Sequence, residues 1–596
     1  MWMSAKLAFS NPLLLRFWIL VLAAFVLPCS LFSQGPGDVQ LAGVWGAEVR
    51  FGSPVAGRLI LDGRGPTWRA MIAGYQVSVR PPADSVEFEL PGHAGAFRGH
   101  RDQKRNLIEG HWVQPGGQIL DPEYASPVEL RAIATGIWQG QVVPLEQRMS
   151  VYLNIVSGSE GLTATATNPE ANFFRRRVYR VSVKGSIVSL EANGKRFDGA
   201  YDAQSGVLSI QLASWLPAFQ FTRRSGDNAV GFYPRTPANV SDWHYRAPLS
   251  LGDGWRTSTL RAEGLDETAI GDLVEKILKR NPADTSLDIQ SLLIARHGRL
   301  VLEEYFDGFS EDRVHDMRSA GKTFAPVLAG IAKDEGAKLA PDTLIYPLFS
   351  QYSSFANWDS GKQRIRLRDL MTMTAGNACD DNEDDSPGNE DRMQSSQQKD
   401  WYKYTLDLPM LKEPGGKDAV YCSGDLNLVG GAAAAATNTW LPDLFEKKLA
   451  RPLQFGRYYL NLMPDGQAYM GGGAYIRPRD QIKLGQLYLG GGVWNGRRVL
   501  SKQWVENSTS AHSRFADARS LGQKHEYGYG WHIHELRGAG HDYRAFAAEG
   551  NGGQFIVVIP ELDLVVGMTG GAYGEFSQWY RWELELVPQF ILPAAK

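Results

Sequence analysis

The sequence predicts a multidomain chain: an all-β N-terminal part, built as two tandem β-meander or barrel-like repeats, followed by an α/β part. Three observations carry this. The 596 residues exceed the roughly 250–300 at which a single hydrophobic core stops growing. Residues 40–235 are dominated by short alternating apolar runs, among them Val77-Ser-Val79, Val86-Glu-Phe88 and Val207-Leu-Ser-Ile210, punctuated by Gly, Asn and Asp. From about residue 255 to 593, helical and strand periodicities mix, as in an α/β domain.

The first 34 residues differ from everything after them. Lys6 and Arg16 precede an apolar run from Phe17 to Pro28, followed by small and polar residues and Gly35-Pro36-Gly37. This is the layout of a secretory signal, cleaved near Ser33 or Gln34, and it predicts a periplasmic or extracellular protein. The run is shorter than the roughly 20 residues that span a bilayer, so an uncleaved membrane anchor is the weaker alternative. Lipid modification of Cys29 is disfavoured by Pro28 before it.

The β-rich part repeats itself. Phe97-Arg-Gly99-His-Arg-Asp102 matches Phe197-Asp-Gly199-Ala-Tyr-Asp202, and Gly43-Val-Trp45 matches Gly136-Ile-Trp138. The expected units are therefore about 40–132 and 133–235. They carry no readable chemistry and are compatible with carbohydrate or envelope contact, packing on the rest of the chain, or dimerisation. A Pro- and Trp-containing stretch, Pro234 to Gly254, reads as the linker, taken as 236–254.

Beyond the linker, Ala269 to Leu278 is helical in pattern, and Leu292 to Leu302 is a hairpin turning at His297-Gly298. A second hairpin, Phe555 to Ile559 and Leu564 to Met568, closes the chain. Strands at both ends with helices between predict that the terminal strands share an antiparallel sheet beside a helical subdomain.

Composition excludes some functions. The chain is 43% hydrophobic and 21% charged with a formal charge of -3, so it has no basic excess for nucleic acid. Outside the signal only Cys379 and Cys422 remain. They are one disulfide or two buried thiols, and the sequence leaves both open.

The chemistry centres on Met317-Arg-Ser319-Ala-Gly-Lys322-Thr-Phe. Ser-x-x-Lys at the start of a helix puts both side chains on one face, one turn apart. Serine alone is a poor nucleophile; a partly desolvated amine beside it can take its proton. Gly321 and Pro326 sit badly in that helix, so a kink is expected.

The surrounding segments, in order, are Gly298-Arg-Leu-Val-Leu-Glu-Glu-Tyr305, His315-Asp-Met-Arg-Ser319, Leu367-Arg-Asp-Leu-Met-Thr-Met-Thr-Ala-Gly376, Tyr421-Cys-Ser423, Gly472-Gly-Ala-Tyr-Ile-Arg-Pro-Arg-Asp480, Tyr527-Gly-Tyr-Gly-Trp531 and Gly550-Asn-Gly-Gly-Gln554. Together they resemble the serine β-lactamase-related, penicillin-binding-protein-like family: class C β-lactamases, D-alanyl-D-alanine carboxypeptidases, esterases and 6-aminohexanoate-dimer hydrolases. The resemblance implies a β-lactamase/transpeptidase-like sandwich over residues 255–593, with Ser319 as nucleophile, Lys322 as its partner and Tyr421 as general base or partner to the lysine. It places an oxyanion hole at the backbone N–H groups of Ser319 and Asn551.

Two departures bear on substrate. Ser423 stands where the family's Tyr-x-Asn motif has Asn, and Ala548-Glu549-Gly550 replaces Lys-Thr-Gly or His-x-Gly. The basic residue of that motif helps hold a substrate carboxylate; Ala548 cannot. Esters or amides without that carboxylate are thus preferred over β-lactams and D,D-peptides, which form the alternative. A non-turnover sensor that keeps the fold is the reading from another class. Ser423, Trp531, Ala548, Glu549 and Gly550 are the expected substrate contacts, although packing alone would explain Trp531 equally well and strand alternation can turn Glu549 away. No cofactor or metal is expected in the reaction. The acidic run Asp380, Asp381, Glu383, Asp384, Asp385, Glu390 and Asp391 lacks EF-hand spacing and reads as a solvated, mobile loop near the site rather than a calcium site. His297 and His315 read as structural.

Overall fold

The structure is a computed structural model that describes residues 41–595 apart from 52–53, 81–83, 118–121, 175–176, 215, 236–242, 282–283, 285 and 517–524. The expected signal segment, Cys29 and the first part of the linker lie outside the described residues. Among the described residues, no helix is long and apolar enough to cross a membrane.

Nine strands open the chain: β1 (Gly43–Arg50), β2 (Gly57–Asp62), β3 (Trp68–Ile72), β4 (Tyr75–Val79), β5 (Ser85–Glu89), β6 (Ala96–Asp102), β7 (Leu107–Gln114), β8 (Glu123–Ala134) and β9 (Ile137–Val142). Seven more follow: β10 (Arg148–Gly158), β11 (Gly161–Thr167), β12 (Val178–Lys184), β13 (Ile187–Ala192), β14 (Lys195–Asp202), β15 (Val207–Ile210) and β16 (Phe219–Arg224). The repeated Phe-x-Gly-x-x-Asp segments are β6 and β14, each the fifth strand counting from β2 and from β10. Their glycines do the same work. A Cβ on Gly99 would stand 2.6 Å from the Glu109 carbonyl, and one on Gly199 would stand 2.3 Å from the Ser209 carbonyl, so both let a neighbouring strand approach closely.

The sheets do not follow the sequence division near residue 132. β1 leaves its own unit and closes the second one, pairing with both β10 and β16 in a closed eight-stranded barrel. β9, the matching first strand of the second unit, inserts between β2 and β8 in the sheet of the first. The two Gly-x-Trp strands have therefore exchanged places. Trp45 is buried among the barrel residues Leu153 and Phe221, while Trp138 is buried with Leu61 and Leu130. The first unit remains open, because β4 and β5 are not paired among the described residues.

The second half has a ten-stranded sheet in which Ile289–Arg296 pairs with both Arg299–Tyr305 and Leu564–Gly570. The two ends of this part thus share one sheet. His297 and Gly298 turn the first hairpin with φ of 50° and 71°, the left-handed pair that a two-residue hairpin requires. Strand alternation divides the core: Leu293, Ala295, Ile556 and Val558 face the helix that follows Ser319, and Leu292, Ile294, Val557 and Val566 face the terminal helices. The helix Glu267–Leu278, capped by Asp266 accepting from Thr268 and Ala269 N–H, belongs to the second layer.

The β-rich part is built onto the second half of the chain. Glu123–Ala125 of β8 pair with Leu460–Leu462, whose strand continues through Ala474–Ile476 to His315–Asp316, three residues before Ser319. Arg451 bonds Glu109 at 2.8 Å, and the Tyr459 hydroxyl donates to the Val143 carbonyl at 2.9 Å. The described end of the linker is strapped down as well, with Trp243 Nε1 donating to Glu304 at 2.9 Å and Arg479 bonding Asp253 at 2.7 Å.

Candidate active site

Ser319 lies in a 3₁₀ segment, Arg318–Thr323, that runs into the α-helix Phe324–Asp334. This resolves the expected kink differently. Pro326 falls in the first turn of the α-helix, where an N–H would have no intrahelical partner, and so breaks nothing. In a 3₁₀ turn residues three apart eclipse one another. Lys322 Nζ accordingly donates to Ser319 Oγ at 2.9 Å. Arg318, just before the nucleophile, has φ of 47°, a left-handed conformation that costs a non-glycine residue about 1–3 kcal/mol. Asp316 holds it there, accepting from the Arg318 backbone N–H at 3.0 Å and pairing with its guanidinium at 2.8 Å.

Two glycines bring other chain segments against this turn. A Cβ on Gly550 would stand 2.4 Å from the Met317 carbonyl, and one on Gly472 would stand 2.7 Å from that of Arg318. The end of the strand His541–Gly550 therefore abuts the backbone of the turn that carries Ser319. Asn551 is fixed by its side chain, which accepts from Gly574 N–H at 2.8 Å. Thr323 Oγ1 donates to the Gly530 carbonyl at 3.0 Å and ties the same turn to the Tyr527–Trp531 segment.

Lys322 is buried and lies 5.0 Å from the centre of the half-buried Tyr421 ring. Ser319, Lys322 and Tyr421 are thus brought together. Burial alone would drive the lysine proton off. The Tyr421 oxygen, Glu390 and Asp381 outweigh it, and the Lys322 pKa is raised above the ordinary lysine value. The expectation of a desolvated amine that readily loses its proton is corrected here: the acidic surroundings keep Lys322 an ammonium donor.

The source of that acidity is the loop expected to be solvated. Asp381 Oδ2 accepts from both the backbone N–H and the hydroxyl of Ser423, each at 2.7 Å, and its Oδ1 accepts from Glu390 N–H at 2.9 Å. Burial, then the Glu390 charge, push the Asp381 carboxyl up to about 7 against the pull of Lys322 and Ser423. Glu390 in turn accepts from the Tyr469 hydroxyl at 2.6 Å. Of the other members of the run, Glu383, Asp384, Asp385 and Asp391 are exposed and Asp380 is half-buried. A disulfide joins Cys379 to Cys422 with Cα atoms 5.5 Å apart. It ties the loop, two residues before Asp381, to the residue between Tyr421 and Ser423. That pairing was the signal that could have placed Asp381 in the site.

Several expected substrate contacts are corrected. Ser423 is fully buried with its hydroxyl committed to Asp381. Trp531 is also fully buried, packed on Tyr488 and Phe546, so it is core rather than cleft wall. Glu549 points to the far face of the sheet, where it meets His534 at 2.7 Å, because strand alternation turns it away from Ala548. Ala548 belongs to the core on the nucleophile's side of the sheet, and Gly550 meets the nucleophile's turn as described. His315 is buried against Phe309; burial and then Arg313 lower its pKa to about 3, which keeps it neutral. His297 pairs with Glu263 at 3.0 Å in its turn.

A 6-aminohexanoate-dimer hydrolase of Paenarthrobacter ureafaciens is 24% identical over 239 residues, which are 38% of this chain and 58% of that relative. A solved penicillin-binding protein homologue from Caulobacter crescentus, 13% identical, is matched over 52% of this chain and 95% of its own with a TM-score of 0.41. EstCE1, described as a hydrolase with promiscuous acyltransferase activity, is 16% identical over 55% of this chain and 99% of its own, with a TM-score of 0.44. The sequence model named Beta-lactamase matches residues 274–578, just over half of the chain and the whole span from Ser319 to Asn551, and the chain therefore belongs to the beta-lactamase family.

Proposed function

We propose that the protein is an exported serine hydrolase, an esterase or amidase, that works through an acyl-enzyme on Ser319. The beta-lactamase family is one of serine hydrolases that includes esterases and amidases. The observation that carries the assignment to this site is the 2.9 Å hydrogen bond from Lys322 Nζ to Ser319 Oγ beside Tyr421.

In this reading Ser319 Oγ attacks the substrate carbonyl carbon while its proton passes to the Tyr421 oxygen, which lies beside the Lys322 ammonium. The carbonyl oxygen becomes an oxyanion held by the backbone N–H groups of Ser319 and Asn551. Collapse breaks the bond to the leaving group, which takes the proton from Tyr421 and departs as an alcohol or amine. Water then adds to the acyl carbon by the reverse route, releases the acid and restores Ser319.

Substrate preference rests on charge. Asp381 and Glu390 surround the ammonium, and Ala548 offers no cation to a substrate carboxylate. Neutral esters and amides are favoured over β-lactams and D,D-peptides for that reason. The residue 1–34 signal pattern and the disulfide support export into an oxidising compartment; a mature N-terminus near residue 34 or 35, read by mass spectrometry, is the expected result. Binding to isolated cell-wall sacculi tests whether the β-rich part also contacts the envelope.

The activity test compares a short-chain nitrophenyl ester with a chromogenic cephalosporin on wild type and Ser319→Ala. Ester turnover that disappears in the variant is expected. Faster cephalosporin turnover would reverse the substrate ranking.

A further inference from the structure

Behind the catalytic strand, on the face of the sheet opposite Ser319, five titratable side chains are buried together: His525, His532, His534, Glu549 and Glu583. None takes part in the mechanism above. His532 and His534 are two apart on the strand His532–Gly538 and so face the same way. Glu549 comes from the neighbouring strand His541–Gly550, and Glu583 from the C-terminal helical segment Trp582–Ile591.

We propose that His534, Glu549 and Glu583 bind a divalent transition-metal ion, with His532 as the next donor in reach. His534 Nε2 lies 2.7 Å from Glu549 Oε1 and 3.9 Å from Glu583 Oε1, and His532 Nδ1 lies 3.8 Å from Glu549 Oε1. One donor atom from each of the three residues falls within 4.8 Å of the others. A tetrahedral ion with bonds near 2.0–2.1 Å would separate its donors by about 3.3–3.4 Å. The present spacings bracket that value, so small rotations complete the site.

The donor set selects the ion. Imidazole with carboxylates suits zinc, manganese or iron, whereas calcium and magnesium prefer all-oxygen cages. Both glutamates are buried, so their oxygens are shielded from water and placed to coordinate an ion alongside His534. His525 Nε2 lies 2.7 Å from His532 Nδ1, so His532 would join the ion only by giving up that contact.

The site would clamp two elements. Glu549 precedes Gly550, which abuts the nucleophile's turn, and Glu583 belongs to the segment that closes the far face. The ion would fix the catalytic strand from behind without touching the reacting atoms, so His534, Glu549 and Glu583 are positioning residues.

The test uses the full chain without a polyhistidine tag, stripped with dipicolinate and dialysed, then incubated with Zn²⁺, Mn²⁺ or Co²⁺. The expected result is one retained Zn²⁺ or Co²⁺ per chain by elemental analysis, a higher Tm in Zn²⁺ than after stripping, and a visible ligand-field spectrum for the Co²⁺ form. His534→Ala and the milder Glu583→Gln should each lose that spectrum. Failure of the stripped wild type to retain any of the three ions would overturn the site. So would retention of the wild-type stoichiometry and spectrum by both variants, which would place the ion elsewhere.

Discussion

Asp381 accepts two hydrogen bonds from Ser423, one from its backbone N–H and one from its hydroxyl, both at 2.7 Å. Ser423 stands where the family's motif has asparagine. Its short side chain cannot reach outward, and the loop reaches in instead: Asp381 brings a carboxylate to the second catalytic element and places a negative charge near the Lys322 ammonium.

This relationship predicts a pH effect. The Asp381 carboxyl is raised to about 7, so it is protonated below that pH and charged above it. Ester hydrolysis by the wild type should rise as pH increases through about 7, as the charged form takes up Ser423 and Lys322. Asp381→Asn should abolish that inflection in the kcat/KM profile. The linked stability effect has the opposite sign. A carboxyl raised on folding binds its proton more tightly in the folded state, so its contribution falls as pH climbs from the ordinary aspartate range to 7. Thermal melts across that window should show this slope in the wild type and lack it in the variant. An unchanged activity profile in Asp381→Asn would remove Asp381 from the site.

The Cys379–Cys422 bridge pins this arrangement across a separation of 43 residues. Replacing both cysteines with serine should lower stability by about 4 kcal/mol in the chain-entropy account of a loop of that size. It should also reduce kcat, because Tyr421 and Ser423 flank the bridge. Denaturant melts and steady-state kinetics with and without reductant measure both effects.

The strand exchange in the β-rich part predicts coupled unfolding. β1 should exchange amide hydrogens with β10–β16 rather than with its sequence neighbours β2–β8. Trp45→Ala should destabilise the closed barrel by about 3–5 kcal/mol, the usual penalty for a buried aromatic, and should raise exchange in β10–β16 first. Raised exchange in β2–β8 alone would contradict the assigned pairing.

The interface between the two parts makes a further prediction. Removing residues 1–250 would expose the edge of Tyr458–Leu462, together with buried Tyr459, in the sheet that leads to His315–Asp316. An unpaired apolar edge is an aggregation site. The truncated chain should therefore aggregate or lose activity at least tenfold; a monomer with wild-type kcat would show that the β-rich part is a passenger.

What the sequence disclosed follows from how local each feature is. The His297-Gly298 hairpin and the Ser319–Lys322 pair were legible because turn chemistry and short spacings decide them, and the shared terminal strands because strands stand at both ends with helices between. The β1 and β9 exchange was not, since a Gly-x-Trp strand shows the same alternation whichever barrel it joins. Pro326 signalled a kink only because the 3₁₀ turn before it carries no separate pattern. Asp381 was hidden in a charge run that, residue by residue, resembles solvent-facing loop; its position depends on a disulfide that the cysteine count left undecided. Trp531 stays undecided in the sequence because family position suggests a cleft while only tertiary packing reveals a core. The His-x-His of the terminal sheet drew no notice, because its partners arrive from a strand and a helix far along the chain.

The central claim is that Ser319 becomes acylated. Intact-mass and peptide mass spectrometry of the full chain quenched during turnover of a slow nitrophenyl ester measure this directly. One acyl group per chain, on the peptide containing Ser319 and absent from Ser319→Ala, is the predicted result. Ester turnover with no adduct on that peptide, or undiminished turnover by Ser319→Ala, would contradict it.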